Sequence, residues 1–470
     1  MVRIKFDFCK SLVLGVLFFI TAVFFMGCGA STMTGYYADL KKDLTAEKYT
    51  AAAEIVNKSE KQYGTKNILM FNLDAGLTNH YAGIYDTSRN YFESAKANFD
   101  DYYTKSISAG ALSFVTNDLA MPYYGQDFES VHINVFNALN YILAGDDNDA
   151  AVEARQADAL FSANYRKLYK DDGFVRYFMG LVYENADYLN DAYTSYNLAL
   201  NAYKNGISGV TVPKDLINDA YKSALKLGLK SEAAKIKSQY PTAEDKEIPS
   251  NFGEVIVIDY NGLVPEKIET IIELGVGDAW GYVNAKNVDS QEQKDFETVK
   301  SVGVAAFTND YIKLAFPAYR RIPHNVNSFA IETPSGTELS YVAQDIATIA
   351  EKTLENYKNA IYAKTVASAV VKYVAGSIVA KKVEQEKGAL AGMAAKKAFN
   401  IAMALLAQAD TRSWITLPEN ILMSRFFLQE GTNEITIYYL DKNNRQVKTE
   451  KKTIDVKRGK KNFIVIESFK

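Results

Sequence analysis

Three histidines, His80, His132 and His324, are the only imidazoles in the 470 residues, and no two are close in the chain. A metalloprotease helix needs HExxH, and a structural zinc site needs paired cysteines; neither spacing occurs. The GxSxG elbow that exposes a serine nucleophile and the GxxxxGK[ST] loop that cradles phosphate are absent too. GVGDAWG, from Gly275, has the glycine density of a nucleotide loop, but VNAKN follows it in place of a helix start. A turn between strands is expected there. Glu153 and Arg155, in AAVEARQAD, fall in a helical pattern and should make a surface or inter-helix polar contact. Asp410, Arg412 and Trp414, in DTRSWITLP, set a charge pair beside an indole at a helix-to-strand junction, which predicts a buried structural clamp. No catalytic residue, metal ligand or cofactor is expected from these patterns.

The remaining reactive side chain is Cys28, in the stretch FMGCGAS. Arg3, Lys5 and Lys10 precede an apolar run from Leu12 to Met26. As a helix that run covers roughly 22 Å, short of the roughly 30 Å of a bilayer core, so it reads as the apolar region of a signal peptide spanning 1–27. The stretch from Phe25 to Cys28 resembles the lipobox of bacterial lipoproteins, with Phe25 where an aliphatic residue is usual. The resemblance implies cleavage before Cys28, whose thiol would take the lipid (a palmitate-type acyl modification) and hold the chain on a membrane. Gly29, and not an aspartate, follows the cysteine, which points to the outer membrane, facing the periplasm. Cleavage would also remove Cys9, the only other cysteine. It would take Arg3, Lys5, Lys10 and Asp7 from a chain of net charge -3, leaving -5. A balance of that sign argues against a nucleic-acid partner.

A helical framework has to position whatever the chain binds. From Tyr36 to about Tyr240, small residues and aromatics recur at fixed offsets. Gly180, Tyr183, Ala192, Tyr196 and Ala199 are spaced 3, 9, 4 and 3 apart, the pattern of a tetratricopeptide-like helix pair. Ala138, Tyr141, Ala150, Ala154 and Ala157 repeat those spacings upstream. The small residues let two helices approach closely while the aromatics fill the gap to the next pair. Weaker copies lie around Tyr49 and Ala52, around Gly76, Gly83, Tyr85 and Phe92, and in DLINDAYKSALKLGLKSEAAKIKSQYP. Ala138 and Gly180 are 42 residues apart, which puts a loop near SANYRKLYKDDG and makes the solenoid, over 28–240, irregular.

PTAEDKEIPSNFG, 241–253, has no periodicity and reads as a linker. The period then changes to 2. GEVIVIDYNG, KLAFPAY, NEITIYYL, VKTEKKTIDV and NFIVIES are short runs bounded by turn residues and read as strands, with Ile435, Ile437 and Tyr439 alternating against Thr436 and Tyr438. Between them, about 340–409, Ile346, Ala350, Tyr357 and Ile361 mark one helical face, and two alanine-rich stretches follow. The longest uncharged run there, Ala398 to Ala409, has 12 residues, so a packed helical hairpin is expected in preference to a membrane hairpin. The fold class is thus a multidomain α + β protein. A tetratricopeptide-like solenoid precedes a β-rich, sandwich-like domain, 254–470, that carries an alanine-rich helical insertion.

MPYYGQDFESV, ALNYILAGDDNDAAVEARQAD, GEVIVIDYNGLVPEK and DTRSWITLPENI, in that order, resemble a family of uncharacterised bacterial lipoproteins with tetratricopeptide-like repeats ahead of a β-rich C-terminal domain. The resemblance implies architecture and location, and its association with lipoproteins that resemble activators of peptidoglycan synthases implies an envelope-assembly setting. Three readings follow. The first is a membrane-anchored scaffold that takes a protein or peptide partner in the cell envelope. The second is an envelope enzyme, or a regulator of peptidoglycan synthesis, acting on glycan or peptide. The third is a structural assembly lipoprotein.

Overall fold

The computed structural model describes residues 35–109, 119, 121–162, 169, 171–245, 249–285, 311–333, 336–406 and 408–470. The leader read at 1–27 and Cys28 lie outside them. Helices pair as antiparallel hairpins through the first half: α1 (35–45) with α2 (Tyr49–Asn57), then a short α3 (Glu60–Tyr63), then α4 (Ile68–Tyr81) with α5 (Tyr85–Ala109). There follow α6 (Asp127–Leu143) with α7 (Asp147–Ser162), α8 (Gly173–Asn185) with α9 (Leu189–Asn205), and α10 (Lys214–Lys226) with α11 (Lys230–Gln239).

Side-chain volume sets how these pairs close. A Cβ on Gly180 would lie 2.5 Å from the Tyr196 ring, and one on Gly76 would lie 2.5 Å from Phe92. Both partners are sixteen residues on, so the first helix must be bare where the ring of the second crosses it. Ala138, Ala150, Ala154 and Ala157 are buried at the matching positions of α6–α7, as are Ala192 and Ala199 in α9. The α4–α5 pair keeps the 3, 9, 4, 3 spacing as Gly76, Asn79, Ser88, Phe92 and Ala95, all but Gly76 recorded as buried side chains. Gly83 and Tyr85, read from sequence as part of this copy, instead sit at the turn and at the start of α5.

The second half builds two four-stranded sheets. Sheet one has the order β10-β1-β7-β6, from β1 (Phe252–Leu263), β6 (Tyr341–Asp345), β7 (Pro418–Gln429) and β10 (Lys461–Ser468). Sheet two has the order β5-β4-β8-β9, from β4 (Ser328–Thr333), β5 (Gly336–Leu339), β8 (Gly431–Leu440) and β9 (Gln446–Val456). Pairing is antiparallel except for β1 with β10, which is parallel. Alternation then assigns the faces. Val255, Val257, Leu422, Phe426 and Ile466 of sheet one meet Phe329, Ile331, Ile435, Ile437 and Tyr439 of sheet two in a sandwich core. Ile256, Ile258, Tyr260, Ile421, Met423 and Phe463 point the other way, into the same core as the helices. Sheet one is therefore covered on both faces, which explains the unbroken apolar run in GEVIVIDYNG.

A ribbon of β2 (Glu266–Gly275) and β3 (Tyr311–Arg320) stands apart from both sheets. It packs on α12 (Val276–Ala285) and on α13 (Ile346–Lys387), which turns back as α14 (Ala389–Leu406). The GVGDAWG segment is corrected here: it opens α12 and is not a turn between strands. Val276 and Ala279, one turn apart, bury against Val366 and Val370 of α13, and this packing outweighs the low helix propensity of Gly277 and Gly281. Among the described residues α13 alone is long and apolar enough to cross a membrane, and 47% of its most apolar stretch is buried inside the protein.

Candidate binding site

The face of the solenoid turned toward sheet one is filled by the chain itself. Residues 410–417, an irregular stretch that turns at 415–417 before β7, bond to α4 and α6. Trp414 is fully buried and its N–H donates to Glu129 at 3.0 Å; its indole N–H donates to Thr416 at 2.9 Å. Thr416 in turn donates to Asp74, and Tyr81 donates to the Thr416 carbonyl at 2.8 Å. Asp410 and Arg412 pair at 2.7 Å, and Arg412 also reaches Asn67 and the Met121 carbonyl. Burial would raise the Asp410 carboxyl, but the adjacent guanidinium holds it below the usual range.

Two histidines join the same seam. His80 donates from Nδ1 to Asn140 at 2.7 Å and accepts from Tyr260 at 2.9 Å, so burial leaves it neutral, with a pKa lowered to about 4. His132 bonds the Phe128 carbonyl and Gln344, again neutral because burial depresses it. His324 faces Glu419 at 3.2 Å, away from both. Among the described residues no three His, Cys, Asp or Glu side chains group as a metal site.

Away from that seam, a half-open cavity of about 660 Å³ lies between α5, α6 and α7, with Tyr357 of α13 on its wall. Its floor is set by Gly125, whose backbone is left-handed (φ +73°) and where a Cβ would lie 2.3 Å from Phe99. Tyr102, Tyr124 and Tyr357 supply aromatic walls, while Gln126, Asn134 and Gln156 supply amides. Asn134 Oδ1 is buried with no hydrogen-bond partner among the described residues.

Charge in the cavity is biased. Lys96, its one lysine, donates to Glu153 at 2.6 Å, to Glu93 at 2.7 Å and to Gln156 at 2.9 Å, so its charge is spent internally. Asn137 braces the same two glutamates at 2.9 Å each. Burial raises Glu153 despite the ammonium beside it. By residue type the lining is acidic, with Glu93, Asp100 and Asp127 against Lys96. Amide acceptors, aromatic faces and acidic groups together suit a ligand that brings N–H donors and positive charge.

The repeat residues seen in the sequence frame this cavity without lining it. Ala138, Ala150, Ala154 and Ala157 are packed between helices, and Tyr141 lies at the α6 C-terminus under the Arg89 guanidinium, 4.8 Å away. Gly180, Tyr183, Ala192, Tyr196 and Ala199 hold α8 to α9, with Tyr183 donating to Asp158 and Tyr196 to Glu184. Glu153 is buried between helices, and Arg155 lies over the Tyr188 ring. Sequence reasoning did not single out Tyr124, Gln126, Asn134 or Gln156. Two of the stretches quoted for the lipoprotein resemblance, MPYYGQDFESV and the one ending EARQAD, supply Tyr124, Gln126 and Gln156.

No protein-family model matches the chain, and no curated protein matches it. Among solved structures the chain is similar to MamA from AMB-1, with a TM-score of 0.29 and 15% identity over 46% of this chain and 95% of that one. A second MamA crystal structure gives 0.29 and 15%, over 47% and 100%. The apo form of RapI gives 0.33 and 10%, over 78% and 73%.

Proposed function

We propose that the protein is a non-catalytic interaction scaffold of the cell envelope, anchored through a lipid on Cys28, whose helical half holds a basic polypeptide segment. The observation that carries this reading is the acidic, amide- and tyrosine-lined cavity between α5, α6 and α7, made from two successive helix pairs. Beside it, sheet one shares a core with the helices that build the cavity, which favours a preordered site. A preordered cavity spares a bound segment part of its ordering cost. The envelope location rests on the leader and FMGCGAS stretch, and the outer membrane on Gly29.

Two experiments test it. Titration of the full chain with short peptides should show lysine-rich peptides binding about tenfold or more tightly than acidic ones, with affinity falling as salt rises. Asp127→Lys should abolish that preference. Equal binding of both peptide classes, unchanged by Asp127→Lys, overturns the cavity reading. For the anchor, a fatty-acid probe should label the native chain and not Cys28→Ala; equal labelling overturns the anchor alone.

A further inference from the structure

The α13–α14 hairpin is committed at its base and bare at its far end. Near the base, Val366, Val370 and Val374 bury against the ribbon and α12. Farther out the two helices touch each other: a Cβ on Gly376 would lie 2.0 Å from the Phe399 ring, and one on Gly392 would lie 2.5 Å from Glu384. At the turn Leu390 and Met393 are 84% and 70% exposed, and farther back along α13 Val379, 60% exposed, and Ile378 are exposed as well. Single exposed apolar residues are ordinary, but a group at one tip marks a contact surface.

Charge indicates what it contacts. Residues 376–399 hold Lys381, Lys382, Lys387, Lys396 and Lys397 against Glu384 and Glu386, a positive segment in a chain of net charge -3. The tip is convex and two helices wide, too small for the roughly 1,000 Å² that a stable protein interface needs. A bilayer imposes no such minimum, and basic side chains around inserted Leu and Met suit anionic headgroups over acyl chains. The hairpin cannot cross, because about half of the most apolar stretch of α13 is already buried in the protein.

We propose that the tip of the α13–α14 hairpin is a second, peripheral membrane contact, inserting Leu390 and Met393 into an anionic lipid surface. It rests on the membrane location proposed above and adds to it an orientation: a chain held at two points cannot swing freely about its N-terminal anchor.

The test reconstitutes the full chain in phosphatidylcholine vesicles, with or without phosphatidylglycerol, containing a phospholipid with a photoreactive acyl chain. Adducts are mapped by mass spectrometry. Adducts at 376–399 are expected with phosphatidylglycerol and should fall about tenfold or more without it, in Leu390→Glu/Met393→Glu, and in Lys382→Glu/Lys397→Glu. All four side chains lie at or near the surface, so these variants fold, and adducts on residues 28–34 report the anchor separately. Adducts confined to 28–34, or tip adducts indifferent to lipid charge, overturn the proposal. Cross-links between copies at the tip without lipid adducts overturn it in favour of self-association.

Discussion

The backbone N–H of Trp414 donates to the carboxylate of Glu129 at 3.0 Å, joining residues 285 positions apart. The same carboxylate accepts from the Gln126 N–H and the Tyr123 hydroxyl, both within 2.8 Å, and so caps α6 while docking the irregular segment that leads into β7. Glu129→Ala leaves two amides and a phenol without an acceptor. At about 1–3 kcal/mol per buried orphan, the loss should reach about 3 kcal/mol, and Glu129→Gln, which keeps a carbonyl, should cost less. Urea unfolding followed by tryptophan fluorescence measures both. An alanine cost below about 1 kcal/mol contradicts the assignment.

Gly180 and Tyr196 make a test of helix spacing. Gly180→Ala should destabilise by about 1–3 kcal/mol, since its methyl meets the tyrosine ring. In a Tyr196→Ala background the obstruction is gone, and the same change should stabilise by up to about 1 kcal/mol through helix propensity. The sign reversal, read from chemical denaturation of all four chains, is the expected outcome.

Arg425 is buried on β7 and pairs with Asp219 of α10 and Glu254 of β1, while Lys461 reaches Glu254 at 2.8 Å and Glu184 at 3.2 Å. Burial would raise Glu254, but Arg425 and Lys461 hold it at about 2. Arg425→Leu strands the buried Asp219 carboxylate and leaves Glu254 with Lys461 alone, and should cost about 3–5 kcal/mol at pH 7. Because the stranded carboxylate can take up a proton, the cost should shrink as pH falls toward 4. A cost that does not change between pH 7 and pH 4 counts against the ion network.

Asp74 carries a pH signature of the opposite kind. Burial raises its carboxyl to about 7 from 3.8, even though Tyr63 and Thr416 donate to it. Between those values the folded chain keeps a proton that the unfolded chain releases. Asp74 therefore stabilises fully below about pH 4 and contributes less and less as pH rises to 7, by up to about 4 kcal/mol. Asp74→Asn should remove that decline. Melting temperature followed from pH 4 to pH 7 in both chains checks the slope, which a loss of one hydrogen bond alone would leave in place.

The parts of this fold that were legible in sequence are those specified by local spacing. Gly180 and Tyr196 reveal a hairpin because the small residue and the ring that needs it lie sixteen positions apart. Ile435, Ile437 and Tyr439 reveal β8 because a half-covered strand alternates. Copies disguised by polar residues were harder: Asn79 and Ser88 hold repeat positions in α4–α5, and hydrogen bonds compensate their burial, with Ser88 bonding the Gly76 carbonyl at 2.6 Å. The short strands β4 to β6 carry too few residues for a period to show. Cavity residues such as Asn134 were hidden because nearly every position of α6 is buried, so the stripe of Ser130, Asn134 and Asn137 looks no different from the polar residues that brace neighbouring helices. The seam between the halves was illegible in principle, since nothing local to Arg425 points to Asp219, 206 residues earlier.

The parallel pairing of β1 with β10 also imposes an order of events on the living cell. Val257 lies opposite Ile464, and Asn261 opposite Ser468, so β1, an internal strand of sheet one, waits for β10, about 200 residues later. At about 5–20 residues per second, a ribosome needs on the order of 10–40 s to make what lies between them. Through that interval one edge of β1 has no neighbour, and the helices have no finished surface to close against. Sheet one is complete only once β10 has been made and has paired with β1.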